Sequence, residues 1–167
     1  MKHIVDAGCD SATLCFFDPA ALPVDFDVQI EEDAVELMEQ LQAQQVLWFS
    51  ETGGDGNYIF HVYVDEDAPP SLHSKATLVD SFDTFSIPSG QLCICGAEYA
   101  ANNPLVGSTF TPKGGLGKYS GIGNIVELAA GNYRLELLVI QGADKHSYFA
   151  QKSAVPDYVL MAYKNSA

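Results

Sequence analysis

SATLCFFDPAAL (residues 11–22) and SGQLCICGAEYA (residues 89–100) share the pattern Ser-x-x-Leu-Cys. Further along, GDGNYIFHVYV (residues 54–64) and AAGNYRLELLV (residues 129–139) share Gly-Asn-Tyr at the start of an apolar run. The two matches occur in the same order in both places. We interpret them as an internal duplication, because self-similarity in a fixed order is the signature of a repeated structural unit.

The two units of this duplication span about residues 1–67 and 78–142. In each unit a short apolar run precedes Gly-Asn-Tyr: VLWFSE at residues 46–51 and NIVEL at residues 124–128. Glycine and asparagine tolerate the positive φ that tight hairpin turns require. The Gly-Asn-Tyr sequences therefore predict two hairpin turns, and a ligand-binding loop is the less favoured interpretation.

Alternating and continuous apolar runs predict nine or ten β-strands. The main runs are HIVDA, ATLCFFD, VLWFSE, YIFHVYV, TLVDSFDTFSI, GQLCICGAEY, IVELA, YRLELLVI and, as a C-terminal strand at about residues 156–163, YVLMAY. HIVDA and ATLCFFD are predicted to form a strand pair. The fold class is mainly β: a β-sandwich or barrel built from two pseudo-symmetric repeats within a single domain, residues 1–167.

One helix is predicted inside the first unit, at IEEDAVELMEQLQAQQ (residues 30–45). Apolar residues recur at spacings of three and four between Ala34 and Leu41, which predicts one buried stripe. Three acids, Glu31 to Asp33, are expected in its first turn, where the helix dipole favours negative charge. The second unit has a glycine-rich connection at this place, residues 105–123.

The net charge of −14 is concentrated in the first part of the chain. Residues 1–67 contain 15 acids and one lysine, whereas residues 68–167 contain seven acids and seven bases. This distribution argues against a nucleic-acid or anionic-membrane binder, because both need a basic surface. It allows attraction of a basic partner, and a solubilising role for the charge is the alternative.

The densest acidic segment, residues 25–39, contains seven acids and no base. Like charges on neighbouring helical turns destabilise a helix by a few tenths of a kcal/mol per pair. The acids of this segment are therefore expected to lower the stability of the predicted helix. We therefore predict a partner-binding surface. Its residues are Asp25, Asp27, Glu31, Glu32, Asp33, Glu36 and Glu39.

Two places in the sequence partly match metal-binding patterns, and neither is expected to bind a metal ion. Cys93 and Cys95 lie two residues apart on a predicted strand, but zinc sites usually use C-x₂₋₄-C with a second matching pair. Cys93 also matches Cys15 of the first unit, which indicates a core position. Asp65 and Asp67 fit only the first half of a calcium loop, even if Asp55 were to add an oxygen ligand.

Enzymatic and phosphate-binding interpretations have weaker support. KGGLGKYS, residues 113–120, departs from the P-loop pattern, so residues 113–123 are expected to form a loop of unassigned role. His61 lies in no catalytic or metal signature, and Ser89 is not in G-x-S-x-G. No cofactor is expected. A hydrolase stays a second alternative, because a triad assembled across the fold has no local sequence signal.

LCFFDPAALP and TGGDGNYIFHVYV together resemble an uncharacterised group of bacterial single-domain proteins. In that group a strand ending in D-x-x-x-L precedes a G-D-G-x-Y hairpin, and the likeness covers residues 10–65. The resemblance implies a β-rich bacterial fold and brings no catalytic residues.

The leading functional hypothesis is a non-catalytic acidic protein that engages a basic protein partner, in the manner of an immunity protein or inhibitor. A small-ligand or carbohydrate-binding sandwich is the first alternative, based on aromatic residues expected to be exposed near loops: Trp48, Tyr99 and Tyr119. No segment has the length and hydrophobicity of a membrane span, and the N-terminus lacks the apolar run of a signal peptide. A cytoplasmic location with reduced cysteines is expected.

Overall fold

The computed structural model describes residues 1–9, 11–52, 54, 56–102, 124–141 and 155–166. The strands are β1 Lys2–Cys9, β2 Thr13–Phe17, β3 Leu47–Glu51, β4 Gly56–Val64, β5 Ala76–Ile87, β6 Gln91–Gly96, β7 Ile125–Glu127, β8 Gly131–Ile140 and β9 Tyr158–Lys164. The helices are α1 Ala34–Ala43 and α2 Pro70–His73, with two short 3-10 helices at Pro19–Ala21 and Ala97–Tyr99.

The strands form a β-sandwich of two sheets, which confirms the mainly-β prediction. One sheet has five strands in the order β1-β4-β9-β8-β5, and the other has four in the order β3-β2-β6-β7. All neighbouring strands are antiparallel except β4 and β9. Alternate residues of both sheets, such as Phe16, Phe60 and Leu135, meet between them in the main hydrophobic core.

If β1, β2, β3 and β4 are matched with β5, β6, β7 and β8 in turn, the strand order of each sheet is symmetric about its centre. β2 and β6, the strands that carry Ser-x-x-Leu-Cys, lie side by side at the centre of the four-stranded sheet. In the five-stranded sheet, β1 and β4 lie on one side of β9, and β5 and β8 lie on the other. A duplicated unit predicts this symmetry, with β9 as the additional strand. The duplication and the single-domain boundary stay predictions.

The two predicted hairpin turns are wrong. β3 and β4 belong to different sheets, as do β7 and β8, so each Gly-Asn-Tyr stands where the chain crosses from the four-stranded to the five-stranded sheet. The predicted pairing of β1 with β2 is wrong for the same reason, because β1 pairs with β4 and β2 with β3 and β6. Turn residues signal a change of direction but carry no information about which sheet the next strand joins.

The acidic helix is shorter than predicted. α1 begins at Ala34, so Glu31, Glu32 and Asp33 precede it, and Asp33 occupies the N-cap position without a capping side-chain bond. The backbone N–H groups of Ile30 and Glu31 donate instead to the Asp27 carbonyl, which makes a separate turn there. The helix dipole therefore accounts for fewer of the acids than expected.

α1 covers the outer face of the four-stranded sheet. Met38 and Leu41 of its apolar stripe are buried, and they pack against Cys15, Phe17 and Cys93. This packing anchors the helix and turns its other faces, with their acids, toward solvent.

Candidate functional site

The seven predicted partner-binding residues lie between β2 and the end of α1, outside the four-stranded sheet. We call them the acidic surface. Asp25, Glu32, Asp33, Glu36 and Glu39 are exposed, while Asp27 and Glu31 are half-buried.

Four of these acids surround one shallow concavity of about 530 Å³. Its lining consists of Ile30, Glu31, Glu32, Asp33, Glu36, Leu37 and Gln40. The lining contains no base, so the four carboxylates reinforce one another's negative potential within a Debye length of about 8 Å at physiological salt. Asp25, Asp27 and Glu39 do not line this concavity, so the structure groups the predicted residues only in part.

Asp27 has a structural role in the loop before α1. Its carboxylate accepts a hydrogen bond from the Gln29 backbone N–H at 2.9 Å, and its backbone forms a β-bridge with Ala101. Asp25 is exposed and has a positive φ of 62°, which aspartate tolerates better than most residues. Asp27 therefore orders the loop, which distinguishes it from the exposed acids around α1.

Large apolar side chains are exposed in the same segment as the acids. Val24, Ile30 and Val35 are 83%, 73% and 72% exposed. Scattered exposed apolar residues are ordinary, but here they are close in sequence to seven carboxylates. Protein–protein interfaces combine an apolar centre with a polar rim in this way.

A second, apolar concavity lies between α1, the β2–β3 pair and the 3-10 helix that follows β6. We call it the α1 groove. It has a volume of about 320 Å³, and its lining includes the side chains of Val28, Val35, Met38 and Phe49. Glu51 and Glu98 are also among its lining residues, although the lining is almost wholly apolar.

Glu98 is held in place by its neighbours. The Ser11 hydroxyl donates a hydrogen bond to Glu98 Oε2, and the Gln29 side-chain amide donates to the Glu98 backbone carbonyl at 3.1 Å. The carboxylate of Glu98 also lies against Gly96, where a Cβ atom would overlap with it. The glycine thus makes room for this carboxylate at the edge of the α1 groove.

Sequence reasoning found the acidic surface but missed the α1 groove. The acids of the surface are consecutive enough to show in local composition, whereas Val35, Phe49 and Glu98 come from three separate segments. Each of these three is ordinary in its own segment, so no local signal marks the groove.

The four cysteines are free thiols in the interior. Cys15 lies directly opposite Cys95 on β2 and β6, and Cys93 is also buried under α1, as its match with Cys15 predicted. Burial raises the pKa of the Cys15 thiol well above its usual range. Within the described ranges, no group of three or more His, Cys, Asp or Glu side chains is arranged to hold a metal ion.

Asp65 and Asp67, which partly match a calcium-binding loop, form hydrogen bonds with strand β9. Asp65 accepts a hydrogen bond from the Lys164 backbone N–H at 2.7 Å, and Asp67 accepts one from the Tyr163 hydroxyl. Asp55 lies outside the described residues. The two described carboxylates therefore stabilise the end of the five-stranded sheet.

The described residues that were candidates for catalysis or ligand binding lie in hydrogen bonds or in buried and half-buried positions of the fold. The Ser89 hydroxyl donates to the buried carboxylate of Asp18 at 2.6 Å, and His61 is buried on β4. Trp48 is 1% exposed, which contradicts its assignment as an exposed ligand-binding aromatic residue. Tyr99 is half-buried. Tyr119 and the whole of the loop at residues 113–123 lie outside the described residues.

Among the helices in the described part of the chain, none is long and apolar enough to cross a membrane.

Comparison with known proteins identifies neighbours at the level of the fold. No family model matches the chain, and no curated protein matches it. The chain is similar to a solved structure described as "Crocagin biosynthetic gene J", with a TM-score of 0.57, 15% identity, and coverage of 99% of this chain and 96% of that one. It is also similar to ComJ from Bacillus subtilis, described as an inhibitor of the DNA degrading activity of NucA, with a TM-score of 0.51, 9% identity, and coverage of 98% and 96%. At these identities the likeness shows a shared fold, which agrees with the β-rich fold implied by the sequence resemblance.

Proposed function

We propose that this protein is a non-catalytic binding protein that engages a basic protein through the acidic surface. The observation that carries the proposal is the exposure of Ile30 in the concavity that four of those carboxylates line, with Val35 exposed on the adjoining helix. A solubilising face needs charge alone, whereas an interface needs desolvated apolar contacts together with charge.

The two components have different effects on binding. The carboxylates attract a basic partner over several ångströms and raise the association rate, an effect that falls steeply with ionic strength. The apolar side chains lose their contact with water on binding, at about 25 cal/mol for each Å² buried, and this term is insensitive to salt. The complex is therefore expected to weaken with salt.

An inhibitor-like role is supported by one structural neighbour. ComJ shares the sandwich fold over nearly the whole of both chains and is described as an inhibitor of a nuclease. That description of ComJ supports an inhibitor-like role for a chain with this fold. We propose the same general role here, with the basic character of the partner inferred from the charge of this chain.

The experiment is affinity capture with purified protein from a lysate of the source organism, at low and at high salt. Every retained protein is then purified, and its complex is re-formed from the two components. We expect a basic protein that binds at low salt and is released at high salt. If no protein binds, or if the bound protein is acidic, the proposal is wrong.

Two charge variants are run beside the natural protein. Glu32→Lys, Glu36→Lys and Glu39→Lys together reverse three exposed acids on or beside α1. The control variant reverses three exposed acids elsewhere, Glu66→Lys, Asp83→Lys and Glu127→Lys, and has the same net charge. The first variant should lose the partner while the control retains most of its binding. Equal loss in both would mean that net charge, and no particular surface, attracts the protein.

A further inference from the structure

A turn in the loop before α1 exposes three consecutive residues between two buried ones. Leu22 and Phe26 are 6% and 2% exposed, whereas Pro23, Val24 and Asp25 between them are all exposed. We call these three residues the projecting turn. Val24 is 83% exposed, the highest value for a large apolar side chain in the described part of the chain. The projecting turn therefore holds a hydrophobic side chain in water between two residues of the core.

The two ends of the projecting turn are anchored in one buried cluster. Leu22 and Phe26 belong to the cluster that also contains Met38 and Leu41 of α1. The Phe26 backbone N–H donates to the Pro23 carbonyl oxygen at 3.0 Å, which closes the turn, and proline fixes its own φ. The projecting turn is therefore attached to the same outer face of the four-stranded sheet as α1.

A bridge to a distant segment holds the chain that follows the turn. The Asn102 backbone N–H donates to the Phe26 carbonyl oxygen, and the Val28 N–H donates to the Ala100 carbonyl oxygen, each at 2.9 Å. Asp27, between them, completes the isolated β-bridge to the same segment. Backbone that is already bonded in this way loses less conformational freedom when a partner binds. The projecting turn is therefore preorganised.

Asp25 holds a backbone conformation that few residues adopt. Its φ is 62° at the third residue of the turn, which is the pattern of a type II turn. Glycine or asparagine is favoured at that position, because a Cβ atom disfavours positive φ. Residues kept in sparsely populated conformations cluster at functional sites. Here the acid places a carboxylate next to the exposed Val24 in the chain.

We propose that the projecting turn is the anchor of the complex: Val24 enters an apolar pocket of the basic partner, and Asp25 meets a basic side chain at the rim of that pocket. The inference rests on the proposed function, because the pocket belongs to the partner that the acidic surface attracts. It adds a buried anchor residue and a concave, apolar receptor site, since a protruding side chain loses its contact with water only inside a cavity.

The test is calorimetric titration of this protein with the basic protein purified from the capture experiment. Val24→Thr keeps the shape and β-branching of the side chain but places a hydroxyl in the apolar pocket, so it should weaken the complex about tenfold. The control Val79→Thr makes the same change at an exposed valine on β5 and should leave the affinity unchanged. Natural affinity in Val24→Thr, or an equal loss in Val79→Thr, would overturn the inference.

Two changes at Asp25 separate the charge from the conformation of the turn. Asp25→Asn removes the charge but keeps a residue suited to positive φ, whereas Asp25→Val removes both. Asp25→Asn should weaken the complex about threefold at low salt, and the difference should narrow as the salt concentration rises. Asp25→Val should weaken the complex more at every salt concentration. If the two variants bind alike, the preformed turn conformation does not contribute to binding and the preorganised anchor is wrong.

The free protein provides a test that needs no partner. The Phe26 amide hydrogen should exchange slowly with solvent in the natural protein and in Val24→Thr, and faster in Asp25→Val, because its bond to Pro23 closes the turn. Fast exchange of this amide in the natural protein would show that the turn is open before binding and would overturn the preorganised anchor.

The outcome separates this inference from the proposed function. The capture experiment reverses Glu32, Glu36 and Glu39, none of which belongs to the projecting turn. If a basic partner is lost when those three acids are reversed but binds Val24→Thr with natural affinity, only the anchor is wrong. If no partner is captured, the proposed function is wrong and the anchor falls with it.

Discussion

Tyr58 and Tyr133 make the same hydrogen bond at the start of two strands. Each hydroxyl donates to the backbone carbonyl oxygen four residues earlier in the chain, Gly54 for Tyr58 at 2.5 Å and Ala129 for Tyr133 at 2.6 Å. Both bonds lie where the chain crosses between the two sheets. A tyrosine that bonds back to the backbone a few residues upstream is a recurring brace in β-sandwiches.

Removing either hydroxyl should destabilise the protein by a similar amount. Tyr58→Phe and Tyr133→Phe each remove a hydrogen bond at a largely buried side chain and leave the ring in place. We expect each to lower the free energy of unfolding by about 1 kcal/mol, measured by urea denaturation. An effect at only one of the two positions would show that the two crossings are not stabilised equivalently.

The two crossings also show what local sequence can and cannot predict. Gly-Asn-Tyr correctly marked the start of β4 and of β8, because an apolar run follows it in both places, but its glycine and asparagine are the first residues of these strands. The choice between a hairpin and a crossing depends on which partner each strand finds. Tyr58 and Trp48 both face the core from opposite sheets, and this pairing of faces is a long-range property that periodicity does not contain.

Asp18 should be one of the more sensitive positions in the fold. Its buried carboxylate accepts bonds from the Ser89 backbone N–H and hydroxyl, both at 2.6 Å, and from the Ala20 backbone N–H at 2.9 Å. It therefore links the first Ser-x-x-Leu-Cys segment to the second. Asp18→Ala should lower the free energy of unfolding by about 3 kcal/mol, because three charge-assisted bonds to a buried carboxylate are lost together.

Ser89→Ala provides the matched comparison, since it removes only one of these three bonds. It should cost about 1 kcal/mol in the same denaturation measurement. If Asp18→Ala is no worse than Ser89→Ala, the carboxylate does not hold the two segments together.

Alkaline pH should destabilise the protein under reducing conditions. Burial raises the pKa of Cys15, a hydrogen bond with Cys93 together with burial raises that of Cys95, and burial raises the pKa of Tyr158 to about 12. Because these groups stay protonated in the folded state, the unfolded state loses protons first as the pH rises above about 9. The free energy of unfolding should then fall by up to about 1.4 kcal/mol per pH unit for each thiol.

The measurement is urea denaturation between pH 8 and pH 10.5. A Cys15→Ala, Cys95→Ala variant should show a shallower decline, because two of the titrating groups are gone. A stability that is constant over this range in the natural protein would contradict burial of neutral thiols beneath α1.

For the candidate site, as for the fold, the sequence predicts features formed by neighbouring residues and does not predict features formed by distant segments. The acids from Glu31 to Glu39 were found because they are close together in the chain. The later start of α1 was missed because the acids Glu31 to Asp33 suit the first turn of a helix, whereas the turn at Asp27 forms beside a bridge from Asp27 to Ala101, far along the chain. The α1 groove requires the packing of α1 on β3, which no single segment specifies.

The most direct test of the account is hydrogen–deuterium exchange on the complex with the captured basic protein, compared with the free protein. We predict slower exchange in residues 28–40, which contain most of the acidic surface, with little change in α2 and β5. Protection that falls on α2 or β5, while residues 28–40 exchange as in the free protein, would show that the partner binds a different surface and would contradict the account.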